Sequence, residues 1–290
     1  MAALDDVLAS SQAVIVPGVY DALSARVAAR AGARLLYLSG FAVAGAGFGV
    51  PDIGLVSASQ MVERVGVIAA ATAPVPLIAD GDNGHGGPLN AAQLTRAYER
   101  AGAAGIQLED QVLPKRCGHM ADKEVVSRAE AIQKIRASVD ARTSKAFKII
   151  ARTDSRATHG LDEALERGEA FLSAGADILF IEAPQSREEL RRIAETFRGV
   201  PLVANIVEDG KTPLLAAQEF EALGFKILLY PISALLAVTR RLETAYELLL
   251  KGERSQLDPN RATFDHYNAI MKLPELLAVT NQLGRANYEE

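Results

Sequence analysis

"FKIIARTDSRATHGLDEALERGEAFLSAGADILFIEAP", residues 147–184, holds two short apolar runs on either side of a stretch rich in Ala, Leu, Glu and Arg. A run that is apolar almost without interruption reads as a strand covered on both faces. Strands of that kind belong to a parallel sheet flanked by helices. The unit recurs along the chain. Further runs are "AVIVPG" (13–18), "RLLYLSG" (34–40), "VPLIADGD" (75–82), "GIQLED" (105–110), "PLVANI" (201–206) and "KILLYP" (226–231). With "FKIIARTD" (147–154) and "ILFIEAP" (178–184) they make eight. Eight strand and helix pairs predict an α/β fold of the closed (β/α)8, TIM-type barrel rather than an open sheet.

A weak internal repeat supports that count. "AGARLLYL", "AGAAGIQLED", "AGADILFIEAP" and "LGFKILLYP" each place a small-residue and Gly turn before an even-numbered strand. Gly there supplies the left-handed residue that ends the preceding helix. The barrel is complete near Pro231. "LLAVTRRLETAYELLLKG" and "TFDHYNAIMKLPELLAVTNQLG" read as the last barrel helix and further amphipathic helices split around "LDPN". The expected division is a catalytic barrel over 1–240 and a helical extension over 241–290. Apolar helices beyond a closed barrel need cover, and a neighbouring subunit is expected to supply it.

The bulk properties suit a soluble enzyme: 49% hydrophobic and 23% charged residues, with a net charge of -5 and both signs interspersed. That balance points away from nucleic acid as the main partner. The opening "MAALDDVLASSQAVIVPG" has acids where a signal peptide needs cations, and no apolar run approaches a membrane span. A single Cys permits no internal disulfide, so a cytoplasmic, reducing location is expected.

In a barrel of this type the active site is built where the strands end. The endings here are Ser39-Gly40, Asp80 and Asp82, Glu109-Asp110, Arg152-Thr153-Asp154, Glu182 and Asn205. Asp80 and Asp82, at i and i+2 of an extended chain, point to one side and can reach one hard cation at about 2.1 Å or its waters. Glu109 would complete an oxygen-rich site for Mg²⁺. "DGDNGHGG" is equally the composition of a tight Gly-rich turn, and both readings stand. Arg152 follows an apolar stretch, so its guanidinium needs an anion. That anion is either an internal carboxylate, Glu182 or Asp154, or a substrate carboxylate held in bidentate fashion.

The one thiol, Cys117, sits in "EDQVLPKRCGHMADKE" (109–124), with Lys115, Arg116 and His119 beside it. A lone Cys is ordinarily a small buried hydrophobe. Neighbouring cations instead favour a thiolate and suit a group that exchanges a proton. The absence of a second Cys speaks against zinc. The seventh and eighth loops, "VEDGKTP" and "ISALLAV", lack a Gly-rich phosphate cradle, which disfavours a phosphosugar. His85 and His159 fall in no usable pattern, and His266 reads as packing or surface.

These residues resemble the isocitrate lyase/phosphoenolpyruvate mutase superfamily over nearly the whole chain. The resemblance runs through "VPGVYDALSARVAARAGARLLYLSGFAVA", "GVPDIGLVS", "ADGDNGHGG", "GIQLEDQVLPKRCGH", "IIARTDSRATHGLDEALERG", "AGADILFIEAP" and "ANIVEDGKTP". The K-R-C-G-H loop is its most specific motif and points to members that cleave carbon–carbon bonds, the methylisocitrate lyase and dimethylmalate lyase branch. The resemblance implies that Asp80, Asp82 and Glu109 hold Mg²⁺, with Mn²⁺ as its substitute. It places Ser39, Gly40, Phe41, Gly118, Arg152, Glu182 and Asn205 around a 2-hydroxy or 2-oxo carboxylate. It makes Cys117 the acid, flanked by Lys115 and His119, and implies a homotetramer that exchanges C-terminal helices. Tyr37, two residues before Ser39, is expected to take part in deprotonating the substrate hydroxyl.

Two departures matter. Methylisocitrate lyases carry an arginine after the last strand for an additional carboxylate; here Leu236 stands there, with Arg240 and Arg241 about a turn later. An apolar pocket penalises a tricarboxylate through an unpaired buried charge, which favours a 2-alkylmalate or 2,3-dialkylmalate. Ala121-Asp122 replace the customary glycine region after the motif. Rival expectations are carboxyphosphonoenolpyruvate phosphonomutase chemistry, oxaloacetate hydrolysis or decarboxylation, and a non-catalytic binding module.

Overall fold

The computed structural model describes residues 4–115, 118, 123–252 and 261–286 of the 290. All eight expected strands form: β1 Val14–Val19, β2 Leu36–Leu38, β3 Leu77–Asp80, β4 Gly105–Glu109, β5 Lys148–Thr153, β6 Ile178–Ile181, β7 Val203–Asn205 and β8 Ile227–Tyr230. They are parallel, in the order β6-β5-β4-β3-β2-β1-β8-β7. Between β6 and the start of β7 there is a single bridge, Leu179 to Leu202. The result is a nearly closed (β/α)8 barrel. Its helices are α2 Ala22–Arg30, α3 Gly40–Phe48, α4 Ala58–Thr72, α5 Pro88–Ala101, α6 Arg128–Ala141, α7 Ser155–His159, α8 Leu161–Ser173, α9 Arg187–Thr196 and α10 Ala217–Leu223, after a short α1, Leu4–Ala9.

Side chains alternate across a strand, so every second residue faces the barrel axis. Val14 and Val16 of β1, Tyr37 of β2, Ile78 of β3, Ile150 of β5, Ile178 and Phe180 of β6, and Ile227 and Leu229 of β8 form one inner core. Leu4 and Val7 of α1 belong to the same core and cap its lower end. A larger core lies between strands and helices, around Leu36, Leu38, Ile106, Ile149 and Phe171. Each such side chain contributes about 1.5–3 kcal/mol by leaving water. Helix starts are fixed locally: Asp21 accepts from the Ser24 N–H and Ser57 from the Gln60 N–H, each a reciprocal cap.

Two expected strand ends are shorter than read. β2 stops at Leu38 because Ser39 turns to cap α3, its Oγ accepting from the Ala42 N–H at 3.3 Å. β3 stops at Asp80, since Asp82 has left-handed backbone (φ 48°). The chain divides into two compact units, Met1–Leu235 and Leu236–Glu290. The second contains most of α11 (Ser233–Leu250), with α12 (Phe264–Ile270) and α13 (Leu273–Ala286). Its large apolar side chains include exposed Tyr246, Leu249, Phe264, Leu276 and Leu277. Leu236 lies on α11 rather than in the loop expected after the last strand, and Arg240 and Arg241 follow on the same helix, as expected. None of the described helices is long and apolar enough to cross a membrane.

Candidate active site

The inward parity that builds the core continues to the top of each strand and there changes chemistry. Ser39 follows Tyr37, Asp80 follows Ile78, Glu109 follows Gln107, Arg152 follows Ile150, Glu182 follows Phe180 and Asn205 follows Val203, each two residues on. All six are buried. Parallel pairing sets Glu109 beside Arg152 and Arg152 beside Phe180. The Arg152 guanidinium lies 5.0 Å from the Phe180 ring centroid.

The acidic side is tightly organised. Asp80 Oδ2 accepts from the Gly40 N–H at 3.2 Å, and Oδ1 accepts from the Asp82 N–H at 3.1 Å and from Gln107 Nε2 at 3.2 Å. A β-carbon added to Gly40 would lie 2.8 Å from Asp80 Oδ2 and 3.5 Å from Asp82 Oδ1, so both carboxylates face the same small space. Asp82 reaches it through a left-handed turn rather than along an extended strand, so "DGDNGHGG" forms the Gly-rich turn while its two carboxylates still converge. Burial, and then the Asp82 charge, push the Asp80 carboxyl up to about 6. Burial also raises Glu109 well above the usual range, against the pull of Arg152.

Cations stand among these acids. Lys115 Nζ is 2.7 Å from Asp82 Oδ1 and pairs with Asp52 as well. Burial would lower its pKa, but the Asp82 and Asp52 charges raise it well above the ordinary lysine value, so Lys115 is a fixed ammonium. Arg152 grips Asp154 with Nε on Oδ2 at 2.9 Å and Nη2 on Oδ1 at 3.0 Å. Its Nε lies 3.3 Å from Glu109 and 3.9 Å from Glu182. The internal carboxylate partner left open by the sequence is therefore Asp154 first. Asn205 Nδ2 donates to both Glu182 oxygens, at 3.2 and 3.3 Å. Gly118 presses on this pair: an added β-carbon would be 2.3 Å from both Arg152 Nη2 and Glu182 Oε1.

Tyr37 donates its hydroxyl proton to Gln107 Oε1 at 2.7 Å. Burial and the Asp80 charge hold its phenol well above 10.0. At neutral pH it is a neutral donor that orients Gln107. Cys117 and His119 lie outside the described residues, as do Arg116, Ala121 and Asp122.

Between the acids and the cations lies a cavity of about 50 Å³, walled beyond Arg152 and Lys115 by Phe41, Val207, Pro231 and Ile232. One water occupies roughly 10–15 Å³ of such space, so the cavity suits a small organic acid. Among the described residues no three His, Cys, Asp or Glu side chains already form a metal-ligating group. The donor set nevertheless fits a hard divalent ion. It consists of oxygens only, and Glu109 Oε1 is buried without a hydrogen-bond donor.

Sequence reasoning missed Asp52 and Lys123, and gave Asp110 no role beyond its place at a strand end. Asp52 sits in a loop between helices, where strand-end logic does not look. Asp110 supports the mouth from behind, accepting from Thr153 Oγ1 at 2.6 Å, the Asp154 N–H at 2.8 Å and Arg167 Nη1 at 3.0 Å. The only available signal was the density of acids and bases around each strand end.

A nearly closed barrel with an acid-rich, arginine-bearing mouth is the frame of a small-molecule enzyme. Residues 4–250 match the phosphoenolpyruvate phosphomutase family, and the chain belongs to it. It is 43% identical over 279 residues to the 2,3-dimethylmalate lyase of Eubacterium barkeri, with 96% of each chain covered. A crystal structure of a 2,3-dimethylmalate lyase matches with a TM-score of 0.91 at 37% identity, covering 97% of this chain and 93% of that one. Oxaloacetate acetylhydrolase in complex with 3,3-difluorooxalacetate matches at 0.93 with 34% identity, covering 97% and 96%.

Proposed function

We propose that this protein is a divalent-metal-dependent carbon–carbon lyase. It cleaves a 2-hydroxy dicarboxylate of the substituted-malate kind to a 2-oxo acid such as pyruvate and a second carboxylate. The observation that carries this reading is one small cavity in which the Asp80 and Glu109 carboxylates meet Arg152 and Lys115 beneath an apolar wall, with Asp82 paired to Lys115 at its edge. The 43% identity to a dimethylmalate lyase supports the same substrate class.

Asp80, Asp82 and Glu109 would hold Mg²⁺ or Mn²⁺, which when bound supplies a Lewis acid for the oxygens of the 2-oxo acid. Arg152 and Asn205 face the cavity and bind a carboxylate. Ser39, Gly40 and Phe41 close its β2 side. The C2 hydroxyl proton passes to a carboxylate lining the cavity, and that oxygen becomes a carbonyl as the C2–C3 bond breaks. The bonding pair passes to C3 beside the second carboxylate, and a proton from Cys117 completes the product. Lys115 and His119 set the charge around that thiol. Tyr37 serves through Gln107, holding Asp80 in place, rather than as the base. Val207, Pro231 and Ile232 leave a third carboxylate without a counter-charge among the described lining residues, which favours an alkylmalate over a tricarboxylate. We further propose a cytoplasmic homotetramer, with the exposed apolar residues of α11 to α13 packing on, and exchanged with, a neighbouring copy.

The test is incubation with Mg²⁺ and 2,3-dimethylmalate, 2-methylisocitrate, oxaloacetate or phosphonopyruvate, following pyruvate, oxalate and phosphate. Pyruvate from dimethylmalate is expected. Oxalate and acetate from oxaloacetate, with no pyruvate from any malate, would sink the lyase reading. That outcome would favour the second one, hydrolysis, to which the likeness to oxaloacetate acetylhydrolase points.

A further inference from the structure

Lys123 is a buried lysine with no place in the chemistry above. Its ammonium donates to Asp154 Oδ1 at 2.7 Å and to the Gly118 carbonyl oxygen. Asp154 is the carboxylate that holds Arg152 in bidentate fashion, and Gly118 is the residue seated on Arg152 and Glu182. One buried cation thus touches both groups that define where the arginine sits.

The charge balance gives this contact a consequence. Arg152 alone faces three carboxylates, Asp154, Glu109 and Glu182. With Asp154 as its sole partner the guanidinium would be neutralised, and with the other two nearby the local field would repel an incoming anion. Lys123 takes a share of the same Asp154 oxygen. With Lys123 counted, two cations stand against these three carboxylates and the formal charge of the cluster falls from two net negative charges to one, so a substrate carboxylate approaching Arg152 is repelled less.

We propose that Lys123 is a positioning residue for carboxylate binding. Through Asp154 it keeps Arg152 attractive to the substrate anion, and through the Gly118 carbonyl it keeps that backbone against the arginine. This rests on the reading of the cavity as a carboxylate site. It goes beyond that reading in assigning the affinity to a residue that does not line the cavity.

The experiment measures binding of oxalate, a planar dianion like the 2-oxo acid product, by calorimetry in the presence of Mg²⁺, alongside kcat and KM. Lys123→Met should weaken oxalate binding tenfold or more and raise KM by more than it lowers kcat. Lys123→Arg should stay within about threefold of wild type. Lys123→Met combined with Asp154→Asn restores the local net charge and should recover most of the lost affinity. It also carries the test if the single Met variant does not fold. Wild-type oxalate affinity in folded Lys123→Met overturns the proposal. So does an Arg variant, or a double variant, as weak as the Met variant or as weak as no binding at all. A wild-type protein that binds no oxalate overturns the reading of the cavity itself, and the assignment of Lys123 with it.

Discussion

Asp154 has two cations on one carboxylate, and its titration should be visible in the stability of the whole protein. Burial by itself would raise its pKa; the Arg152 and Lys123 charges outweigh that and hold it well below the carboxylate range. An acid depressed in the folded state stabilises fully above its unfolded pKa of about 3.9, and loses that contribution as the pH falls toward the folded value. Asp154→Asn should therefore cost about 3–5 kcal/mol at pH 7, the scale of a broken buried ion pair. Its urea midpoint should then change less than that of wild type between pH 5 and pH 3. Equal acid sensitivity in the two proteins would contradict the assignment. Gly118 permits a sharper test. Because its β-carbon would overlap Arg152 and Glu182 at 2.3 Å, Gly118→Ala should lower kcat/KM at least a hundredfold while the melting temperature moves little. The sequence offered Asp154 as one of two internal partners for Arg152 and the resemblance set Gly118 at the substrate, but the contact with Lys123 could not be read from neighbours in sequence. Lys123 and Asp154 are 31 positions apart, and only the fold brings them to 2.7 Å.

At the scale of elements, the period of two along a strand explains why so much of the site was legible. Ile78 and Asp80, or Ile150 and Arg152, share a face, so an apolar inner core predicts which strand-end polar residues point into the mouth. Loops follow no such rule. Asp82 depends on a left-handed turn, and Asp52 and Lys115 meet from separate loops. Asn tolerates left-handed backbone nearly as well as Asp. Asp82→Asn is thus expected to fold with a near-wild-type melting temperature but to need at least about tenfold more Mg²⁺ for half-maximal activity, judged by the losses that even outer ligand partners cause. An unchanged Mg²⁺ requirement would remove Asp82 from the metal set. The lower end of the barrel offers a contrast. Leu4, 2% exposed in the inner core, should cost about 2–5 kcal/mol when changed to Ala, with kcat intact once the protein is folded.

Over the whole molecule, the second unit presents apolar helices to solvent within a single chain, with Leu276 62% and Leu277 53% exposed. Apolar area of this kind marks an association surface. Leu276→Glu with Leu277→Glu should shift the proposed tetramer to smaller species by light scattering; a wild-type monomer would refute the assembly. Eight strands, their parallel direction and the acids at their ends were determined by the sequence alone. Hydrophobic runs and two-residue alternation are local properties that burial enforces wherever such strands pack. The tertiary structure alone decided that Arg152 is shared between Asp154, Glu109 and Glu182, that Tyr37 turns its proton to Gln107, and that Lys123 stands behind the arginine. Those are pairings between charges and dipoles far apart in the chain, and their energies depend on distance and burial that exist only once the barrel has formed.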